Sequence, residues 1–209
     1  MSLSAKIPAS IALPSPIYPI RDRACQRGEL LPILPDTLWR IDSGFIRTVV
    51  WHYGGQAATL GIWGPGDFLG RLVPPVEGCQ LECLTPAILS GIPAGRLPYN
   101  ALHEATTSHL EQSQTLLNIL HCRPISMRLM ELLIWLAHRF GSEVERGWVL
   151  DLRLTHQAIA ESIGTTRVTV TRMLQSFERE GRVKRLHHHR YFLSGQNDAK
   201  NRGLSQVEF

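Results

Sequence analysis

The sequence predicts an α+β chain with a small antiparallel β-barrel, then a long helix, then a winged helix-turn-helix. Three observations carry this prediction. Short apolar runs alternate with turn signals over residues 38–92, helical periodicity takes over after Pro98, and Gly164 separates two short amphipathic helices. We place the domain boundaries at residues 1–100, 101–123 and 124–209.

Composition agrees with a globular chain of one large or two small domains. The 209 residues are 44% hydrophobic, which is ample for packed cores. The chain has no apolar run long enough to span a bilayer and no secretory signal, so we expect a cytoplasmic protein without a membrane partner. Four scattered cysteines do not suggest a disulfide scaffold. They are Cys25, Cys79, Cys83 and Cys122.

The first half of the chain has two kinds of sequence pattern, a proline-rich arm and a series of short apolar runs. Residues 1–35 contain six prolines and little periodicity, so we expect much of this arm to be extended or poorly ordered. Short strands separated by glycine-rich turns follow, which predicts an antiparallel barrel or sandwich. The strands are expected at Leu38–Ile41, Phe45–Trp51, Ala57–Ile62, Leu81–Leu84 and Ala87–Ile92. The aromatic residues expected in their core are Trp39, Phe45, Trp51, Trp63 and Phe68.

After Pro98, apolar residues recur at the spacing of a two-stranded helical seam. This pattern predicts a dimerisation helix, and packing of the same helix on its own barrel is a compatible alternative. The seam consists of Leu110, Ser113, Leu117 and Leu120. Pro124 then breaks the helix and is the candidate hinge, and a second apolar helix is expected from about Ser126 to Phe140.

The segment from Leu154 to Gln175 has the pattern of a helix-turn-helix. Thr155 is suited to cap the first helix and Gly164 to end it, and the second helix begins at Thr165 or Thr166. The residues expected to be buried are Ala158, Ile159, Ile163, Val170, Leu174 and Phe177. Those expected to face outward are Thr166, Arg167, Thr169, Thr171 and Arg172. Arginine and threonine at the exposed start of the second helix predict DNA binding, and an ordinary helical hairpin is the alternative.

Positive charge is concentrated in the same region. Seven basic residues and only two acidic ones lie between Gly164 and Leu193, although the whole chain has a net charge of only +4. After Gly181, two apolar segments flank His187-His188-His189-Arg190 as a basic hairpin, the wing. Such a basic face is expected of phosphate contacts. The histidine run could bind a metal, but we expect it near DNA phosphates or in solvent and predict no metal site.

Together, the barrel with its Gly64-Pro65-Gly66-Asp67-Phe68-Leu69-Gly70 turn, the pairing helix and the winged helix resemble the CRP/FNR transcription regulators. Thr165–Arg172 is most similar to the nitrogen-regulator branch of that family. The resemblance is close over residues 123–186 and architectural over 38–120. It implies a cyclic-nucleotide-binding-like barrel (a double-stranded β-helix) and a homodimeric activator on palindromic double-stranded DNA. It also implies RNA polymerase as a partner and nitrogen-related control as a role.

The resemblance also implies roles for single residues. Arg167 stands where the family's arginine reaches a guanine edge, and Val168 stands where the cyclic-AMP-responsive members carry a glutamate. Valine can only pack on a thymine methyl, so the expected half-site is GTA-like, as in the nitrogen branch. Arg172 is a second groove or phosphate contact. The predicted DNA-binding residues are Thr155, His156, Thr165, Thr166, Arg167, Val168, Thr169, Val170, Arg172, Lys184 and Arg185.

The effector pocket departs from the family pattern. Cyclic-nucleotide-binding relatives place an acidic residue and an arginine after the Pro-Gly-Asp turn, whereas Arg71 is the only arginine between Gly70 and Ile92 here. We therefore expect no cyclic AMP binding, and the dispersed cysteines do not suggest an iron–sulfur cluster. The positions that hold 2-oxoglutarate in the nitrogen branch correspond to His109 and Gln114, which makes 2-oxoglutarate a weak candidate. The pocket is expected at Gly70, Arg71, Leu72, His109 and Gln114.

Two other classes of function compete with a DNA-binding regulator. A ligand-sensing module whose output is a protein partner would not need seven basic residues in one short region. An enzyme is not expected, because the chain lacks the nucleophile-elbow, zinc-protease and P-loop motifs.

Overall fold

The computed structural model describes residues 22–51, 57–72, 77–186 and 190–195. In these residues a β-barrel, a long helix and a winged helix-turn-helix follow one another, so the predicted fold is confirmed. The start of the proline-rich arm, the Gly54-Gly55 turn and the polar tail lie outside the described residues. None of the helices in the described part of the chain is both long and apolar enough to cross a bilayer.

In the described residues, eight strands form the barrel. They are β1 (Arg23–Cys25), β2 (Leu30–Leu31), β3 (Thr37–Ser43), β4 (Ile46–Trp51), β5 (Ala57–Trp63), β6 (Phe68–Gly70), β7 (Cys79–Cys83) and β8 (Ala87–Pro93). They make two antiparallel sheets, ordered β1-β8-β3-β6 and β2-β7-β4-β5. The five predicted strands are confirmed as β3, β4, β5, β7 and β8. The arm was expected to be extended or poorly ordered, and its end is extended as β1 and β2, which are too short to show a period of their own.

The aromatic residues do not share one core. Trp39 and Trp63 are buried, and the Trp39 indole N–H donates to the Pro32 carbonyl at 3.1 Å. Phe45 and Phe68 are only partly buried. The expectation for Trp51 was wrong, because its side chain is 45% exposed. It is the last residue of β4 and lines a groove outside the barrel core.

Helix α1 (Tyr99–His121) packs on the barrel along one face and leaves the predicted seam open. Its buried residues are Ala105, Gln112, Leu116 and Ile119. Leu110 and Leu117 are each 55% exposed, and Leu120 is half-buried. The hydroxyl of Ser113 donates to the His109 carbonyl of the same helix at 3.0 Å. The packing predicted as an alternative is therefore present, and the seam faces away from the barrel.

The chain breaks where expected, and the remaining elements form the winged helix-turn-helix. Its elements are α2 (Ile125–Phe140), β9 (Ser142–Val144), β10 (Gly147–Leu150), α3 (His156–Ile163), α4 (Arg167–Arg179), β11 (Val183–Arg185) and β12 (Tyr191–Ser194). Pro124 caps α2, and Gly141 ends it. The apolar segment from Trp148 to Leu152 also predicts a short strand, which is confirmed as β10 although it ends at Leu150, and β9 was not predicted. Strands β11 and β12 pair antiparallel as the predicted wing, whose histidine tip lies outside the described residues.

Local hydrogen bonds fix the helix-turn-helix. The Thr155 hydroxyl accepts from the Ala158 N–H at 3.0 Å, and the Thr166 hydroxyl accepts from the Thr169 N–H at 3.2 Å. Gly164 ends α3 in the left-handed region, with φ +65° and ψ +48°. The Arg128 guanidinium of α2 donates to the Ile163 carbonyl at 2.8 Å. These contacts confirm the predicted caps and place the start of α4 after Thr166.

We expect Gly164→Ala to destabilise the fold by about 1–2 kcal/mol, because an L residue resists the left-handed conformation. A Cβ atom there meets its nearest neighbours at 3.8 and 3.9 Å, so the cost arises in the backbone. Chemical denaturation measures it, and Gly164→Asn should lose less. Gly95→Ala is the matched control, because Gly95 is outside the left-handed region and its Cβ meets no atom within 4 Å. Equal stability of Gly164→Ala and wild type would contradict this reading.

Candidate nucleic-acid interface

The start of α4 presents an open polar face. Arg167 and Arg172 are exposed, and Val168 is 77% exposed although it is apolar. The hydroxyl groups of Thr166 and Thr169 lie 2.9 Å apart at the same helix end. Guanidinium, hydroxyl and methyl groups therefore stand together at a helix N-terminus, whose free N–H groups favour anions.

Val170 does not belong to this face. Its side chain is fully buried, and it follows the same stripe as Leu174 and Phe177 at helical spacing. The prediction that Val170 contacts DNA was therefore wrong. Val170 instead anchors the recognition helix to the core beneath it.

His156 supports the recognition helix from behind. Its Nδ1 lies 2.7 Å from the Thr171 hydroxyl, which itself donates to the Arg167 carbonyl at 2.9 Å. Because that hydroxyl uses its proton on the carbonyl, Nδ1 of His156 is the donor. The Tyr191 hydroxyl of the wing lies 3.4 Å from Nε2. The half-buried imidazole therefore links β12 to α4, a different role from the predicted DNA contact.

A basic cavity of about 320 Å³ lies beside the start of α4. Four arginines from distant parts of the chain line it. They are Arg27 in the β1–β2 turn, Arg153 before α3, Arg167 of α4 and Arg185 of β11. The other lining residues are Leu154, Thr155, His156 and Gln157, so no acidic side chain of the described residues lines the cavity. This concentration of guanidinium groups suits a phosphate.

Arg27 and Arg153 were not predicted from the sequence. Arg27 lies in the proline-rich arm, where no periodicity signalled an ordered turn. Arg153 precedes the capping threonine and reads as an ordinary loop residue. The folded chain brings both residues to the cavity that also contains the predicted Arg167 and Arg185.

The five residues predicted for the effector pocket are not brought together in one cavity. A space of about 200 Å³ lies between the Pro-Gly-Asp turn and α1, and of the five only His109 lines it. Gly70 pairs with Leu38 across the sheet, and Arg71 and Gln114 are exposed. Residues 73–76, which follow Leu72, lie outside the described residues.

His109 holds the long helix to the barrel. Its ring stacks on Trp63 with centroids 3.7 Å apart, and its Nε2 donates to the Phe68 carbonyl at 2.8 Å. Burial lowers the pKa of His109 from its ordinary value, so the imidazole is neutral near pH 7. A neutral ring does not supply the positive charge that a bound carboxylate needs.

Gln112 is the polar residue that α1 buries, and the sequence did not single it out. It is only 1% exposed, and its Oε1 accepts from the Ile62 N–H at 3.2 Å. Among the described residues its Nε2 has no partner. Gln112 lies two positions before the predicted Gln114, and the helix turns Gln114 outward.

Comparison with known proteins identifies the architecture. A Crp-like helix-turn-helix domain matches residues 127–193. The regulatory protein CysR of Synechococcus elongatus is 39% identical over 185 residues, covering 85% of this chain and 88% of that protein. The chain belongs to the CRP/FNR family of transcription regulators. It is therefore a regulator and not an enzyme.

Further likenesses refine the place of this CRP/FNR regulator. The global nitrogen regulator of Synechococcus elongatus is 39% identical over 88 residues, covering 42% of this chain and 39% of that protein. The predicted closeness to the nitrogen-regulator branch is thus confirmed. FixK2 of Bradyrhizobium japonicum has a similar structure, with a TM-score of 0.74 at 16% identity, covering 87% of this chain and 96% of that one. At this identity the likeness shows the fold alone.

The buried His109 predicts a pH effect on stability. Because its pKa is lowered only in the folded state, the unfolded chain takes up the proton first as the pH falls below about 6.5. The contribution of the neutral, buried His109 to the free energy of unfolding is therefore fully present above that pH and is lost as the pH falls. We expect the drop in thermal midpoint from pH 7.5 to 5.5 to be smaller in His109→Gln than in wild type. His103→Gln, an exposed position on the same helix, should retain the wild-type drop. An unchanged drop in His109→Gln would show that His109 is not held neutral.

Proposed function

We propose that this CRP/FNR regulator is a homodimer that binds a palindromic operator. One recognition helix, α4, enters each of two successive major grooves about 34 Å apart. The observation that carries the proposal is the start of α4, where Arg167, Val168 and Arg172 are exposed. The opposite face of the helix is anchored in the core through Val170.

The side chains of this face support a GTA-like half-site. The Arg167 guanidinium can pair bidentately with guanine O6 and N7, and Val168 can pack on a thymine methyl. Thr165, Thr166 and Thr169 lie near the N–H groups of the helix start, where phosphate contacts are favourable. Arg172 lies four positions after Val168, about one helical turn further along the exposed face, and adds a groove or phosphate contact.

Phosphate contacts outside the recognition helix would position the operator. Lys184 and Arg185 of the wing are exposed, and Arg185 shares the basic cavity with Arg27 and Arg153. We propose that this cavity receives a backbone phosphate of the same half-site. Such a contact adds affinity without reading the sequence.

The homodimer is supported by the apolar stripe that α1 leaves uncovered. Leu110 and Leu117 are each 55% exposed on a helix of 23 residues, while Leu116 and Ile119 are buried against the protein. In the dimer, α1 of a second copy would pack on this stripe and shield its leucines from water.

We also propose which small molecules and cofactors the barrel does and does not bind. We expect neither cyclic AMP nor an iron–sulfur cluster to be bound, and 2-oxoglutarate stays a weak candidate. Arg71 is exposed, and His109 is engaged with Phe68 rather than facing a ligand. Cys25 and Cys83 are buried in the barrel, whereas Cys122 follows α1. Calorimetric titration tests the two small molecules, and saturable heat from cyclic AMP would contradict the expectation that it is not bound. Iron and sulfide analysis of the purified protein tests the expectation of no cluster.

The output in the cell is also part of the proposal. We propose that the dimer acts as an activator through contact with RNA polymerase. Nitrogen-related control is supported by the likeness to the global nitrogen regulators, and CysR is similar over more of the chain. Transcription in vitro with purified polymerase on operator-bearing promoters tests this output.

Arg167→Ala should weaken operator binding by about 1–3 kcal/mol and relax the preference at one base of each half-site. The matched control is Lys184→Ala, which should weaken binding to all sequences alike and lower the slope of affinity against salt by about 0.9 per phosphate contact. Mobility shifts on operator and single-base variants at two salt concentrations measure both effects. Full base selectivity in Arg167→Ala would show that α4 does not read DNA through this residue.

The double variant Leu110→Glu/Leu117→Glu should dissociate the dimer, because it places charges in the seam. Sedimentation velocity measures the state, and mobility shift should show weaker binding to the palindrome. Binding to a single half-site should change little. Tyr99→Glu is the control, since Tyr99 is 83% exposed on the same helix outside the seam. A dimer that persists in the double variant would contradict the assignment of the seam.

A further inference from the structure

A buried arginine connects the barrel to the helix-turn-helix. Arg47 of β4 is only 4% exposed. Its Nε and Nη2 donate to Oε2 of Glu82 on β7, at 3.0 and 2.7 Å, and its Nη1 donates to Oε2 of Glu161 on α3 at 2.5 Å. The other carboxylate oxygen of Glu161 accepts from Gln157 Nε2 at 2.7 Å. One guanidinium thus joins a carboxylate of each domain.

The surroundings of Arg47 make this link important for orientation. A groove of about 630 Å³ lies beside it, with barrel residues on one wall and Thr155, Gln157 and Ala158 on the other. Close to Arg47 in the fold, the Ser162 hydroxyl of α3 lies 3.2 Å from the Thr59 hydroxyl of β5. A groove therefore separates the two surfaces at this place, and directional polar contacts join them there, beside the apolar packing of Ile62 and Leu84 against α3.

A second ion pair attaches the neighbouring helix. The Arg139 Nη2 of α2 donates to both carboxylate oxygens of Asp67 in the Pro-Gly-Asp turn, at 2.9 and 3.0 Å. Because the two attachments act on different helices, α2 and α3, together they restrict rotation of the winged helix against the barrel. Removing either one leaves the winged helix held by the other ion pair, the Ser162–Thr59 hydrogen bond and the apolar packing of Ile62 and Leu84, which constrain its direction less closely.

The attached arrangement is open to DNA. Arg167, Val168 and Arg172 remain exposed, so the barrel does not cover the recognition face. The barrel also brings Arg27 into the basic cavity beside Arg153. Docking of α3 on β4 and β7 therefore adds to the DNA-binding surface and does not mask it.

We propose that Arg47 is a positioning residue for DNA binding. By holding Glu161 of α3 against Glu82 of the barrel, it sets the direction of the recognition helix. In a dimer the two directions determine which distance between half-sites can be bound. The inference rests on the proposed dimer on a palindromic operator, and it assigns the choice of half-site spacing to an ion pair far from the bases.

The test compares Arg47→Met with wild type on three kinds of DNA. These are the palindrome at its best spacing, the same palindrome lengthened or shortened by two base pairs, and a single half-site. Methionine keeps most of the apolar length and leaves the two carboxylates to repel each other. We expect the affinity for the best-spaced operator to fall at least tenfold and the preference for that spacing to shrink. Base preference within the half-site should stay as in wild type.

Controls separate positioning from loss of folding. Arg40→Met removes an exposed ion pair with Asp42 elsewhere on the barrel, and it should leave the spacing preference intact. The triple variant Arg47→Met/Glu82→Gln/Glu161→Gln removes the repulsion and should recover part of the preference. If Arg47→Met does not fold, Glu161→Gln weakens the same link from the α3 side and should shrink the spacing preference on its own.

The outcomes separate this proposal from the one on which it rests. Wild-type spacing preference in folded Arg47→Met and in Glu161→Gln would overturn the positioning role alone. A wild-type protein that binds all spacings equally would show that the palindromic operator is wrong, and the role of Arg47 would fall with it.

Discussion

The structure depends on one apolar core beneath α2. Leu129, Leu132, Leu133 and Leu136 of this helix are completely buried, and residues of α1, α3, α4 and the wing pack around them. Each fully buried leucine contributes about 1.5–3 kcal/mol, so this helix supplies a large share of the stability. The same core holds Val170 and thereby fixes the face of α4 that remains outside. The reading surface is open because the opposite face of its helix is anchored.

An apolar core stabilises without fixing orientation closely, because the hydrophobic effect is not directional. At the junction between barrel and winged helix, Ile62 and Leu84 of the barrel join the same core, and polar contacts add direction to this packing. Arg139 with Asp67 and Arg47 with Glu161 are ion pairs between the domains, and their side chains are mostly or partly withdrawn from water. Such pairs add little net stability, because desolvation offsets much of their attraction, but a broken pair is costly. Because breaking a pair costs more than forming it gains, the pairs favour the one orientation of the two domains in which both are intact.

The DNA-binding domain and the barrel differ in the charge of the groups that could bind a ligand. At the DNA end, guanidinium groups from the turn, the loop, α4 and β11 meet around one cavity. At the barrel end, the imidazole of His109 is neutral near pH 7 and stacked on Trp63. Asp67 of the Pro-Gly-Asp turn accepts from the Gly64 N–H and binds Arg139. The turn is thus part of the link to the output domain, whatever ligand the barrel takes.

The sequence by itself determined the helix-turn-helix, its threonine caps and its glycine turn, because these rest on contacts between residues three to five positions apart. The 3.6-residue period of α4 also placed Val170 on the buried face and Arg167 on the exposed face. The prediction that Val170 contacts DNA was inconsistent with that period. Only the tertiary structure decided that Arg27 joins Arg153, that Trp51 lies outside the core, and that Arg47 meets Glu161. The last two residues are 114 positions apart. No local pattern records such a meeting, because it depends on how the whole barrel and the α2 core pack together.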